Sequence, residues 1–165
     1  MGNLLFSPSG RIGPSDFMKG AIILIVLTAI LSLPAILGLP SIVATITGLL
    51  SFVLLWCWIA LWIKRYHDGG KSGWTSLLPI LVYLVLIIIA YAAIAGGPFM
   101  ELMNATMNGA DEEALKEMET AMNKETGLPV TLVSVVISLA IAFLFNKMIK
   151  QDLHDNQFGP YIPET

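Results

Sequence analysis

From Gly20 to Ile63 the chain runs forty-four residues without a charged side chain, interrupted only by Pro34 and the Gly38-Leu39-Pro40 turn signal. One helix needs about 20 apolar residues to cross a hydrocarbon core of roughly 30 Å, so this stretch predicts two crossings folded back at Gly38–Pro40. Two further uncharged stretches follow, from Trp74 or Thr75 to about Gly96 and from Leu128 to about Phe145. Each is close to the length of one crossing. The runs are continuous rather than alternating, and hydrocarbon offers no partner to an open backbone, so all four are expected as α-helices. The expected fold is all-α, an integral membrane four-helix bundle forming a single domain over residues 1–165. Its helices are placed at about 17–38, 41–64, 74–96 and 128–149, with an outer acidic loop at 97–127 and a tail at 150–165.

Glycine and proline punctuate these limits. Gly38 suits a left-handed helix end and Pro40 the first turn of the next helix; Gly127 and Pro129 repeat the pattern at the entrance to the fourth. Pro34 and Pro79 lie within apolar runs and predict kinks, and Ser15 or Asp16 is a candidate cap for the first span.

Composition agrees with a lipid environment: 56% of residues are hydrophobic, 13% are charged and the mean hydropathy is +0.77. Soluble domains carry about 25% charge. The net charge of −3 matters less than its distribution. Arg11 and Lys19 precede the first span, Lys64, Arg65 and Lys71 join the second to the third, and Lys147 and Lys150 follow the fourth. The two remaining lysines, Lys116 and Lys124, lie in the loop with Glu101, Asp111, Glu112, Glu113, Glu117, Glu119 and Glu125. Cytoplasmic loops are the basic ones, so both termini are expected in the cytoplasm and the acidic loop outside. Lys19, Lys64, Lys147 and Lys150 are expected to form a solvated collar against anionic lipid. Trp56, Trp58, Trp62 and Trp74 are expected in an inner interfacial belt.

Within the acidic loop, Leu115, Met118 and Met122 recur at helical spacing, Glu112 and Lys116 form an i,i+4 pair, and Gly127 supplies a stop. A short amphipathic helix is expected there, its methionines packed on the bundle. The lone Cys57, in an apolar run, gives no disulfide framework and reads as a small apolar residue. The first apolar run is too long for a signal-peptide core, and Phe6 stands where myristoylation wants Ser or Thr.

Three segments on the basic side carry distinctive patterns: Phe6-Ser7-Pro8-Ser9-Gly10-Arg11-Ile12 with Phe17 beyond it, Lys64-Arg65-Tyr66-His67-Asp68-Gly69-Gly70-Lys71-Ser72-Gly73-Trp74, and Asn156-Gln157-Phe158-Gly159-Pro160. Together they resemble the bacterial inner-membrane family known as domain of unknown function 805, from Phe6 to Pro163. Arg65, His67, Asp68, Gly69, Ser72, Gly73 and Trp74 match in one uninterrupted register. The chain departs from the family pattern at Met18, Lys64, Tyr66 and Gln157, where an aromatic, an Arg, a Leu and an Arg are common. The resemblance implies a small multi-span inner-membrane (plasma-membrane) protein and brings no assigned activity.

His67-Asp68 and His154-Asp155 are the candidate metal ligands, since two imidazoles with carboxylates can hold zinc or a similar ion. The competing reading, which we adopt, is local hydrogen bonding and ion pairing. Gly69-Gly70-Lys71-Ser72-Gly73 lacks the spacing and the preceding strand of a phosphate loop. Arg11, Arg65, Asp68 and Asn156 instead predict a charge-assisted network tying three segments into a cap, with Gly69, Gly70 and Gly73 allowing close packing and Trp74 anchoring the turn. The four spans hold no Asp, Glu, Lys, Arg or His at depth, which weighs against an ion- or proton-coupled carrier. The expected function is a non-enzymatic structural or accessory component of a membrane assembly, with no cofactor, no metal and no nucleic acid. Its partners would be the lipid bilayer and other membrane subunits or a second copy. The alternatives are a small-molecule or ion transporter or channel subunit, and a membrane enzyme or metal site built on the His-Asp turn.

Overall fold

The computed structural model describes residues 2–163. The chain is helical: α1 (Gly2–Leu5), α2 (Pro14–Ile36), α3 (Ser41–Asp68), a single 3-10 turn (Gly73–Ser76), α4 (Leu77–Met107) and α5 (Glu112–Met148). Four of these, α2 to α5, are long and apolar enough to span a membrane. Their outward faces carry Ile22, Val26, Leu49, Phe52, Leu81, Ile88 and Val136, all exposed. An apolar surface of that extent belongs in hydrocarbon rather than water, and the chain is a multi-pass membrane protein.

The packing follows a chain of neighbours: α3 lies on α2, α2 on α5 and α5 on α4. Between α3 and α4 the 3-10 turn is the main connection. Inside a bilayer the hydrophobic effect does not draw helices together, so close approach and shape matching must do so. Phe17, Ala21 and Leu24 of α2, Cys57 and Leu61 of α3, and Ala142 of α5 fill the resulting core near one end of the bundle. Phe17 stacks obliquely on Trp62 with ring centroids 4.4 Å apart, and Tyr66 and Phe145 meet the same indole at 6.2 Å.

Several expectations change here. Trp62 is buried in this aromatic cluster rather than lying in an interfacial belt, while Trp74 is 80% exposed. Lys64 is also buried; its ammonium donates to the Leu4 carbonyl, so α1 covers it and it is no part of a solvated collar. The N-terminus of α2 has Gly13 at the cap position and Pro14 in the first turn, where a missing N–H costs nothing. Asp16 pairs with Lys19 instead of capping. Gly38 does end α2 in the left-handed region, at φ +63°.

The largest difference lies in the segment expected as an outer loop. The helix α4 runs on through Pro98 to Met107, and α5 begins at Glu112 with Asp111 as its cap, accepting from the Ala114 N–H at 2.8 Å. It then continues unbroken for 37 residues through Gly127 and Pro129, so no separate amphipathic helix exists. Gly127 does not stop the helix because it is a packing site: a Cβ there would sit 2.7 Å from Ile36 Cγ1, and α5 lies against the end of α2. Pro79 likewise falls in the first turn of α4, where it disturbs no helical hydrogen bond. At about 1.5 Å per residue α5 is roughly 55 Å long, far more than a bilayer core.

Spin labels at Glu113 and Leu132 should therefore report a narrow distance distribution centred near 28 Å, the rise of about 1.5 Å per residue along one unbroken helix. A short or broad distribution in double electron–electron resonance would mean that α5 is interrupted.

Candidate functional site

At the end of the bundle where α2 begins and α3 and α5 finish, three charged side chains meet in one cluster sealed from solvent, with the buried Lys64 beside them. Arg11 and Asp68 have fully buried side chains, and that of Arg65 is 1% exposed. Asp68 ends α3, three residues after Arg65, so one helical turn presents the two to each other; Arg65 Nη1 donates to Asp68 Oδ2 at 2.9 Å. Arg11 arrives from the segment before α2 and donates from Nε and Nη2 to Asp68 Oδ1 at 3.2 and 3.1 Å. One carboxylate is thus clamped between two guanidiniums.

Two arginines against one aspartate leave an excess positive charge, which helix ends accommodate. A helix C-terminus carries about −0.5 of an elementary charge on its open carbonyls, and two such ends come to about −1. Arg65 Nη2 donates to the Asn146 and Ile149 carbonyls at the end of α5, at 3.0 and 2.6 Å. Arg11 Nη2 donates to the Asp68 carbonyl at the end of α3, at 3.3 Å. The cluster is close to neutral. Among the described residues no buried side-chain nitrogen or oxygen lacks a partner.

Arg11 also gathers the tail. Its Nη1 donates to the His154 carbonyl at 2.7 Å and to that of Gly159 at 3.4 Å, and its Nη2 to that of Asp152. Asn156 ties the tail to the central turn by donating to the His67 carbonyl at 3.1 Å. The Asp152 N–H donates to the Asp68 carbonyl at 2.8 Å. The His154 N–H, followed by the Asn156 amide, holds the Asp152 carboxyl below the usual carboxylate range. A lowered folded-state pKa favours the docked tail above the unfolded value and loses that effect as pH falls through the folded one.

His67 is engaged in the same assembly. Gly10, at φ +85°, turns its carbonyl toward His67 Nδ1 at 3.0 Å, which puts a proton on that nitrogen. The ring lies flat on Phe158, with centroids 3.8 Å apart and planes 3° apart. Gly69 is required by closeness: a Cβ there would stand 3.1 Å from the Lys150 carbonyl and 2.7 Å from Ile149 Cγ2. Gly73 packs beside Ile63 and the His67 ring.

The structure thus brings together Gly10, Arg11, Arg65, His67, Asp68, Gly69, Gly73, Asn156, Phe158 and Gly159, with Phe17 in the aromatic layer below. Ser72, Trp74 and Pro160 are exposed and outside the network. The candidate metal ligands do not converge. Both Asp68 oxygens are engaged by arginine, His154 has a side chain 90% exposed, and Asp155 accepts from the Tyr161 N–H at 2.9 Å. Among the described residues no three His, Cys, Asp or Glu side chains are grouped to hold an ion.

Asn146 and Gln151 belong to the site and were not anticipated. Asn146 accepts from Arg65 Nε through Oδ1 and donates to the Pro14 carbonyl at 3.1 Å, linking α3, α5 and the start of α2. Its signal was available, as a lone amide in the last turn of an apolar run. Gln151 donates to the Ile162 carbonyl at 2.8 Å and reaches Asp68 Oδ1 at 3.4 Å, a contact that only the folded tail creates.

Removing the shared carboxylate leaves two buried guanidiniums uncompensated, so Asp68→Ala should destabilise the protein by about 3–5 kcal/mol. Arg65→Lys should not restore stability in place of arginine, because an ammonium cannot span Asp68, Asn146 and Ile149 together. Thermal unfolding in detergent micelles checks both; a parent-like midpoint for Asp68→Ala would contradict the role of the cluster.

No curated protein and no solved structure matches the chain. The motif segments that meet in this cap all lie within residues 5–160, which match a family model, and the chain belongs to the family described as protein of unknown function (DUF805).

Proposed function

We propose that this protein is a non-enzymatic structural or accessory component of an assembly in the bacterial inner membrane, with both termini and the ion-cluster cap in the cytoplasm. One observation carries the reading: the ion cluster and His67 at the basic end are turned inward on the chain's own segments. Arg11, Arg65 and Asp68 are sealed and saturated, and His67 is covered by Phe158 and bonded to Gly10. A substrate would find the Asp68 carboxylate and both guanidiniums already engaged by the chain itself. The orientation rests on the positive-inside rule, since Lys19, Lys71, Lys147 and Lys150 are exposed at the end that holds the cap. A carrier's path would need hydroxyls or charges facing a channel, whereas Thr28, Thr47, Ser51 and Ser134 donate to carbonyls of their own helices.

The protruding ends of α4 and α5 supply the surface for a partner. Met100, Met103 and Met107 are exposed there beside Glu101, a flexible apolar stripe with an acidic flank.

Affinity purification in a gentle detergent should return one reproducible membrane partner, and a chain recovered alone under those conditions would count against the accessory role. With Cys57 replaced, a cysteine at Glu117 should react with a membrane-impermeant maleimide on intact spheroplasts while one at Lys150 stays protected. The reverse pattern would invert the topology. A stoichiometric ion in the purified protein that disappears in His67→Ala would overturn the non-enzymatic reading.

A further inference from the structure

The spans α3 and α4 diverge from the turn that joins them, and a half-open cavity of about 220 Å³ lies between them. Its floor is formed by α2 and α5, where Ala29 and Ser134 are small residues beside larger ones, and its walls are Leu55 and Trp58 on one side and Ile80 and Tyr83 on the other. We propose that this groove binds one acyl chain of a phospholipid from the membrane leaflet on the side of the ion-cluster cap. The inference rests on the membrane reading alone and is independent of the accessory role.

Three observations select that occupant. The first is depth. Along α3 the lining runs from Trp62, beside the cap, to Ser51, a rise of about 16 Å at roughly 1.5 Å per residue. Half of a hydrocarbon core is about 15 Å, so the groove covers one leaflet and stops near the midplane.

The second is chemistry. Hydroxyls do line the groove, but they are occupied: Thr28 donates to the Leu24 carbonyl at 2.8 Å, Ser51 to Thr47 at 3.0 Å and Ser134 to Thr131 at 2.8 Å, while Tyr83 hydrogen-bonds Ser138. What faces the space is mostly methyl groups and aromatic faces. A polar solute would lose its hydration there without replacement, whereas a hydrocarbon chain loses nothing.

The third is width. A helix is roughly 10–12 Å across and would lie against the mouth of so small a space rather than inside it. A single extended chain is slender enough to enter. The opening faces sideways, into the phase where such chains are the solvent.

The test uses the full-length protein in phosphatidylethanolamine vesicles containing phosphatidylglycerol with a diazirine at the middle of one acyl chain. After illumination, Leu55, Trp58, Ile80 and Tyr83 should carry at least five-fold more adduct than Phe52, Ile88 and Val136, which are exposed on the outer faces of α3, α4 and α5. Filling the floor by Ala29→Phe, or independently by Ser134→Leu, should bring groove labelling down to the level of the outer faces and leave the latter unchanged. Equal labelling of groove and outer faces in the parent overturns the proposal, as does undiminished groove labelling in the two filled variants. If neither variant folds, the parent pattern decides alone.

Discussion

The structure depends on burying the three charges of one cluster without leaving any of them uncompensated. A buried carboxylate or guanidinium costs several kcal/mol in lost hydration, and an ion pair recovers that only with good geometry and further hydrogen bonds. Asp68 has that geometry because the helix turn from Arg65 brings the two together and because Arg11 closes from the opposite side. The remaining donors reach carbonyls left open where α3 and α5 end. Those carbonyls would otherwise need water or caps of their own, so each half of the arrangement removes the other's liability. The outcome is a joint between segments as far apart in sequence as Arg11 and Gly159.

Such a joint matters more in lipid than it would in water. Apolar faces on α2 to α5 are solvated equally well by acyl chains and by one another, so burial contributes little to bringing the spans together. Close approaches and polar ties must fix the arrangement. Gly20 against Leu61 and Gly127 against Ile36 supply the first kind, and the ion cluster supplies the second. The aromatic layer of Phe17, Trp62, Tyr66 and Phe145 lies between them and keeps water from the charges above.

How much of this could be read from the sequence varied with the range of the physics involved. The four spans follow from uninterrupted apolar length, a constraint that lipid imposes locally and without exception. The meeting of Arg11, Arg65 and Asp68 followed from charge patterning, because the turn after α3 and the segment before α2 had to share one interface. Local signals failed where tertiary contact overrode them. Gly127 and Pro129 read as a helix start and yet lie inside α5, since Ile36 packs against the glycine and the preceding acidic segment propagates the helix. Lys64 read as a solvated lysine, but its position beneath α1 is set by the Leu4 carbonyl, which no spacing rule reveals. Asn146 stands one residue beyond the apolar run that ends at Phe145, so apolar length alone does not reach it.

The cap also explains why the bundle is open on one side. It joins the start of α2, the ends of α3 and α5, and the tail, but no residue of α4 contributes a side chain to it. Only the 3-10 turn and the packing on α5 hold α4 in place. Three spans are therefore fixed at the basic end by charge, while the fourth is positioned along a single neighbour by packing and the Tyr83–Ser138 hydrogen bond. A helix held in that way can lean from α3 without breaking a polar contact, and the space it leaves lies directly under the layer of Trp62. Rigidity at the cap and an opening between α3 and α4 are two consequences of the same distribution of polar residues, which ties three helices together at the basic end and gives α4 a polar partner on α5 alone.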